Sequence, residues 1–279
     1  LSTFNFNSHN IWYQKTGTGS TPILFLHNGG NDHRIWDYQV KHFSENYEIY
    51  LMDLLGYGQS DKPYIKYTLG LYTDILSEFI ETIIKKPVII MGNCIGAAQA
   101  LNLSAESPEL IKTLVLFNIA SVNTLHKGIF SFLYGASKNR IVQNFLTKRS
   151  KMKMAISIAK RVTFNRLYGT KGEPAESKKE FKKHIHYLYS NDKNLIILYN
   201  LLKNFDTFER IDNLSLPENF PPSMVIWGKQ NIILPYKNGE DLCDRLQLTQ
   251  LNVVENCGHM VMREDYKNVN SSIENFLNY

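Results

Sequence analysis

Cys94 stands at the centre of Gly92-Asn93-Cys94-Ile95-Gly96, directly after the apolar run Pro87-Val-Ile-Ile-Met91. A Gly-x-nucleophile-x-Gly pentapeptide between a strand and a helix is a nucleophile elbow. Its sharp, strained turn lifts the central side chain clear of the sheet. The flanking glycines leave room where a Cβ would meet neighbouring backbone. Serine is the commonest residue at such a centre; a thiol there favours thioester chemistry. Exchange of an acyl group between two thiols is nearly isoenergetic, and the acyl-enzyme stays reactive toward water, an alcohol or an amine. Two other residues with chemistry of their own follow in order. Asn231 lies in Trp227-Gly228-Lys-Gln-Asn231, and His259 lies in Cys257-Gly258-His259.

These residues need a scaffold, and the apolar pattern supplies one. Ile23-Leu-Phe-Leu26 reads as a buried strand running into the loop His27-Asn28-Gly29-Gly30. Residues 48–52 read as a second strand, ending in Asp53-Leu-Leu-Gly56-Tyr-Gly58-Gln-Ser60. Residues 73–84 carry apolar side chains at helical spacing, and 87–91 form the strand before the elbow. Residues 95–105 are small and helix-favouring, and 110–117 hold the next strand. About a hundred helical, Lys-rich residues intervene before strands resume at 224–227 and 251–254. A last helix is expected at 265–277. Strands alternating with helices imply an α/β fold with a mostly parallel central sheet flanked by helices.

The elbow, the His27-Asn28-Gly29-Gly30 loop, the Asp53 segment, Asn231 and His259 come in the right order, each at a strand end. Together they resemble the α/β-hydrolase superfamily over nearly the whole chain. The likeness is to the branch with a helical cap inserted after the sixth strand. That resemblance implies a core of residues 1–119 and 223–279 and a basic cap of 120–222. It implies Cys94 as nucleophile and His259 as general base, then acid. It also implies an oxyanion hole from the backbone N–H of Ile95 with that of Gly29 or Asn28. The family usually has Asp where this chain has Asn231. The other acid position of the superfamily, after the sixth strand, falls near Asn118, which is also uncharged. The elbow is similar as well to the lipase-like box of polyhydroxyalkanoate synthases, although this chain is shorter and lacks their Asp.

The two departures fit each other. A thiol starts near pKa ~8.5 and falls beside a His or a helix N-terminus. A thiolate–imidazolium pair carries its own countercharge, so a neutral Asn suffices to orient the ring, as in Cys-His-Asn sites. Plainer readings stand beside these: Cys94 as an inert buried thiol, Asn231 as a turn cap, and Trp36 either lining the substrate pocket or packing an early helix. His27 and Asp53 are read as shaping loops, and Cys257 as packing. His184 and His186 are given no role.

The cysteines are odd in number, Cys94, Cys243 and Cys257, with no paired framework. That suggests a reducing compartment, the cytoplasm. No zinc-like spacing occurs, so neither metal nor cofactor is expected. The first residue is Leu1 rather than Met, so the natural start is expected to lie upstream or to be processed. No window has the length of a membrane span. The net charge is +5, but residues 120–222 carry more than half of the 31 Lys and Arg. Within it, apolar Phe130, Phe132, Leu133, Phe145 and Met152 interleave with Lys138, Lys148 and Arg149. One face suits the roof of an apolar pocket. The other suits water or an anionic partner such as a carrier-protein face, a CoA phosphate or an anionic lipid surface. No nucleic-acid motif is present. The expected activity is an esterase or thioesterase acting on a small-molecule acyl substrate, free or bound to CoA or a carrier protein. An acyltransferase or cyclase, a lyase and a binding protein for a hydrophobic ligand are the alternatives.

Overall fold

The computed structural model describes residues 2–139, 167–190, 192–248 and 250–278. An eight-stranded sheet runs in the order β1-β2-β4-β3-β5-β6-β7-β8. Its members are β1 (Ser2–Phe6), β2 (His9–Thr16), β3 (Pro22–Leu26), β4 (Glu48–Met52), β5 (Val88–Asn93), β6 (Ile111–Phe117), β7 (Ser223–Gly228) and β8 (Leu251–Val254). The pairs from β4 through β8 are parallel, whereas β1–β2 and β2–β4 are antiparallel. Every residue of β3 and β5 is buried. Strands covered by helices on both faces read as continuous apolar runs, which is how these two stand in the sequence.

The first two strands do not stand out by that criterion. They are half-buried and antiparallel, and β1 buries only Phe4 and Phe6. The helix expected at 73–84 begins earlier, at Leu69, where the Thr68 hydroxyl accepts the N–H of Leu71. It runs to Phe79 and ends in a π-helical turn, Ile80–Ile84. The segment between β6 and β7 contributes the helices Val122–Leu125, Ser131–Lys138, Ala175–Ser190 and Asp192–Lys203. Sequence features at 140–166, including Phe145, Lys148, Arg149 and Met152, lie outside the described residues. Trp36 belongs to the core. It is fully buried with its ring against Phe25 and Phe117, so the sequence reading that placed it in the substrate pocket is corrected to packing.

The sheet aligns one edge. Leu26 pairs with Gly92, Asn93 with Phe117, Phe117 with Ile226, and Gly228 with Val254. The residues just beyond these ends therefore emerge side by side along the carboxyl edge. Strand β3 is flanked by β4 on one side and β5 on the other. Chain order reverses there, and a crevice opens at such a switch point.

Candidate active site

The elbow is built by steric necessity. Cys94 has φ 57° and ψ −111°, in a region that costs a non-glycine residue roughly 1–3 kcal/mol. A Cβ on Gly92 would lie 2.6 Å from the carbonyl carbon of Gly96, and one on Gly96 would lie 2.4 Å from the Leu26 oxygen. The Cys94 N–H is held by the Phe117 oxygen at 3.0 Å. The helix Ile95–Glu106 starts immediately after it, and its first turns are entirely buried.

The half-buried Cys94 side chain lies within reach of the backbone N–H groups of Ile95 and Gly29. These are the two donors read from the sequence. They belong to different loops, and the loop after β3 is fixed from below. His27 donates from Nδ1 to the Asn28 oxygen at 2.8 Å and accepts the Leu54 N–H at Nε2, 2.9 Å. Asp53 holds the backbone N–H and the ring of His33, and the N–H of Gln59. Asn28 lines the pocket through its side chain, whose Oδ1 has no partner among the described residues.

One pocket contains Cys94, His259, Asn28, Gly29 and Asn31, walled by Leu125, Phe130, Leu167, Tyr189, Leu198, Leu201, Phe205, Ile233 and Leu234. Most of the apolar wall comes from the segment between β6 and β7. Burial pushes the Cys94 thiol up to about 12, against the pull of the Ile95 and Gly29 N–H groups. Burial also lowers His259 to about 4. Desolvation thus opposes both the thiolate and the imidazolium, and works against the ion pair expected from the sequence.

His259 is 1% exposed and is fixed at both ends. Its backbone N–H donates to the Leu167 oxygen at 2.8 Å. Its Nδ1 lies 3.1 Å from Asn231 Nδ2. Asn231 and His259 are therefore brought together as the sequence suggested, but through the amide nitrogen. Asn231 Oδ1 is occupied by the N–H groups of Ile233 and Leu234 at 3.0 and 3.1 Å. Two residues extend the array. Asn118 Oδ1 accepts from Asn231 Nδ2 at 2.9 Å. Asn118 Nδ2 donates to Asn93 Oδ1 at 3.0 Å and to the His259 carbonyl at 3.2 Å. Sequence reading noted Asn118 only as an uncharged position and gave Asn93 no role. The one available signal was that three strands, β5, β6 and β7, each end in or near an Asn.

The loop bearing His259 leans on residues 167–173. Glu264 accepts the N–H of Gly258 at 2.7 Å and that of Gly169 at 2.6 Å. Lys171 donates its N–H to the Asn256 oxygen, and Arg263 meets the buried Glu173 at 3.0 Å. His184, on the helix Ala175–Ser190, lies 2.8 Å from Asp32 in the loop after β3. Burial alone would raise the Asp32 carboxyl, but the hydrogen bond and charge of His184 prevail and hold it down to about 2. His184 thus ties that helix to the loop after β3, a role the sequence did not disclose. Cys257 is fully buried beside the histidine loop. Among the described residues, no group of His, Cys, Asp and Glu could hold a metal ion, and no helix is long and apolar enough to cross a membrane.

Comparison with known proteins agrees with this fold. A family model described as alpha/beta hydrolase fold matches residues 21–266. Epoxide hydrolase 1 of Caenorhabditis elegans is 24% identical over 96% of this chain and 68% of its own length. The 2-hydroxy-6-oxo-6-(2'-aminophenyl)hexa-2,4-dienoic acid hydrolase of Metapseudomonas resinovorans is 24% identical over 93% of this chain and 86% of its own. Among solved structures, MGS-M2, an alpha/beta hydrolase enzyme from a Medee basin deep-sea metagenome library, superposes with a TM-score of 0.80. It is 23% identical and the match covers 100% of this chain and 98% of that one.

Proposed function

On the premise that the chain belongs to the alpha/beta hydrolase fold family, we propose that it takes an apolar acyl group onto Cys94 as a thioester. The observation that carries this reading is the thiol on a strained elbow, with the Ile95 and Gly29 N–H groups beside it and His259 in the same apolar pocket. A carbonyl presented to these donors places its oxygen where negative charge develops. The Sγ–C bond forms, the bond to the alkoxide or thiolate leaving group breaks, and the thiol proton ends on the leaving group. Ester and thioester donors both fit this balance. The sequence of the 120–222 segment is basic, which suits a donor carried on CoA or an acidic carrier. Epoxide opening, the reaction named for one relative, fits less well. Attack by sulfur on an epoxide leaves a thioether, which water does not cleave.

Intact-mass spectrometry after incubation with p-nitrophenyl esters and acyl-CoAs of graded chain length tests this. Acyl adducts are expected on the native protein and not on Cys94→Ala. Adducts that persist in Cys94→Ala, or none with any donor, would overturn the reading.

A further inference from the structure

We infer that Asn231 is a positioning residue that locks His259 in the Nε2–H tautomer, so that an acyl group on Cys94 is withheld from water and released to neutral amines. This rests on the acyl-thioester reading above and names its acceptor.

The lock follows from where each hydrogen must lie. The backbone N–H groups of Ile233 and Leu234 both point at one atom of the Asn231 amide, at 3.0 and 3.1 Å. Backbone nitrogens donate only, so that atom is Oδ1. Turning the amide over would set its hydrogens against two buried donors and leave all of them unpaired. The Nδ2 hydrogens then have fixed destinations. One goes to Asn118 Oδ1 at 2.9 Å, the other to His259 Nδ1 at 3.1 Å. Asn118 is fixed in the same sense, because its own Nδ2 donates to the His259 carbonyl at 3.2 Å. The donor sense starts at the Ile233 and Leu234 N–H groups and divides at Asn231, one branch entering the ring and the other passing through Asn118 to Asn93 and the His259 carbonyl.

A neutral imidazole has one lone pair and one N–H. With the Nδ1 lone pair taken by Asn231, the proton sits on Nε2. His259 can donate from that nitrogen but cannot accept there. It also resists a second proton, since an Nδ1–H would face the Nδ2–H of Asn231. A carboxylate at this position reverses the arrangement, accepting from Nδ1–H and freeing Nε2 as the base.

The two acceptors differ in what they ask of the ring. Water attacking the thioester forms a C–O bond, breaks the C–S bond, and must shed a proton to a base as it attacks. The ring then offers no base to water or to the Cys94 thiol, so acylation runs through the small thiolate fraction that loses its proton to solvent and needs an activated donor, whereas water has no comparable route. A neutral amine attacks with its own lone pair. The C–N bond forms, the C–S bond breaks, and the surplus amine proton ends on Sγ after the new bond exists. Asn28 and Asn31 line the pocket, and the buried Oδ1 of each lacks a partner among the described residues, so an amine N–H that reached either oxygen would find an open acceptor.

The test uses the acylated full chain, loaded from a p-nitrophenyl ester, and follows loss of the adduct by mass. Native acyl-enzyme is expected to decay slowly in buffer and rapidly with hydroxylamine. In Asn231→Asp, decay in buffer is expected to quicken by about 10²–10⁴-fold, so that the ratio of hydroxylamine decay to buffer decay falls sharply. Buffer decay no faster in Asn231→Asp than in the native chain would overturn the lock. Independently of any acyl group, ¹⁵N NMR of the resting native protein should show His259 protonated on Nε2 and bare on Nδ1. The opposite pattern would overturn the inference even if Cys94 acylates. If Cys94 accepts no acyl group while the ring shows Nε2–H, the acyl reading fails and the lock stands.

Discussion

At the level of single residues, the Cys94 thiol sits between two influences of opposite sign: neighbouring backbone N–H groups that favour its anion and an apolar pocket that disfavours it. A cysteine at a helix N-terminus near a histidine is ordinarily a candidate for a depressed pKa. Here the pocket is walled by Leu, Ile and Phe side chains, and burial raises Cys94 to about 12. Alkylation of Cys94 by iodoacetamide should therefore be slow at neutral pH and climb through pH 9 without levelling. A plateau beginning near pH 7, read by quantitative mass spectrometry, would show an ion pair instead. That Cys94 and His259 share one pocket, with Asn231 against the ring, was legible in the sequence, because the elbow and the strand-end positions mark them. The sense of the hydrogen bond between Asn231 and His259 was not. It depends on Ile233 and Leu234, whose contribution is made by backbone N–H groups that no side-chain pattern encodes.

At the level of elements, buried strands were easy to read and contacts between loops were not. Strands β3 and β5 announce themselves as unbroken apolar runs, whereas β1 buries alternate residues only. The strap formed by residues 167–173 left no trace of its function in sequence, since it acts through main-chain groups and one distant carboxyl. Glu264 is that carboxyl, accepting from Gly258 and Gly169 at once. Glu264→Gln presents an amide nitrogen to one of those donors. An unpaired buried donor costs about 1–3 kcal/mol, so urea unfolding of Glu264→Gln should show a loss of that order. An unchanged midpoint would mean that the strap does not depend on this residue.

Across the whole molecule, two buried groups set opposing pH dependences. His259 falls from 6.5 to about 4 on folding. The unfolded chain then binds the proton first, so its contribution to stability is complete above pH 6.5 and is lost as pH falls toward 4. Glu264 rises from 4.5 to about 7. The folded chain keeps that proton longer, so its contribution is complete below pH 4.5 and is lost as pH rises toward 7. Between pH 4.5 and 6.5 the slopes oppose each other. Calorimetry should find a nearly flat Tm for the native chain across that window. His27, lowered by burial, and His33, raised against burial by Asp53, titrate nearby with opposite signs, so removing the Glu264 slope in Glu264→Gln should make Tm climb more steeply with pH than in the native chain. A flat profile in both proteins would contradict the two assignments.

The strap has a mechanical consequence. Leu167 both walls the pocket and receives the His259 N–H, so the roof and the imidazole share one fastening. A displacement of the roof at that point cannot leave the ring where it was. The pocket wall and the histidine backbone therefore meet at one peptide group among the several bonds that tie residues 167–173 to the histidine loop, and a ligand that displaced Leu167 would strain the same loop that carries the ring against Asn231.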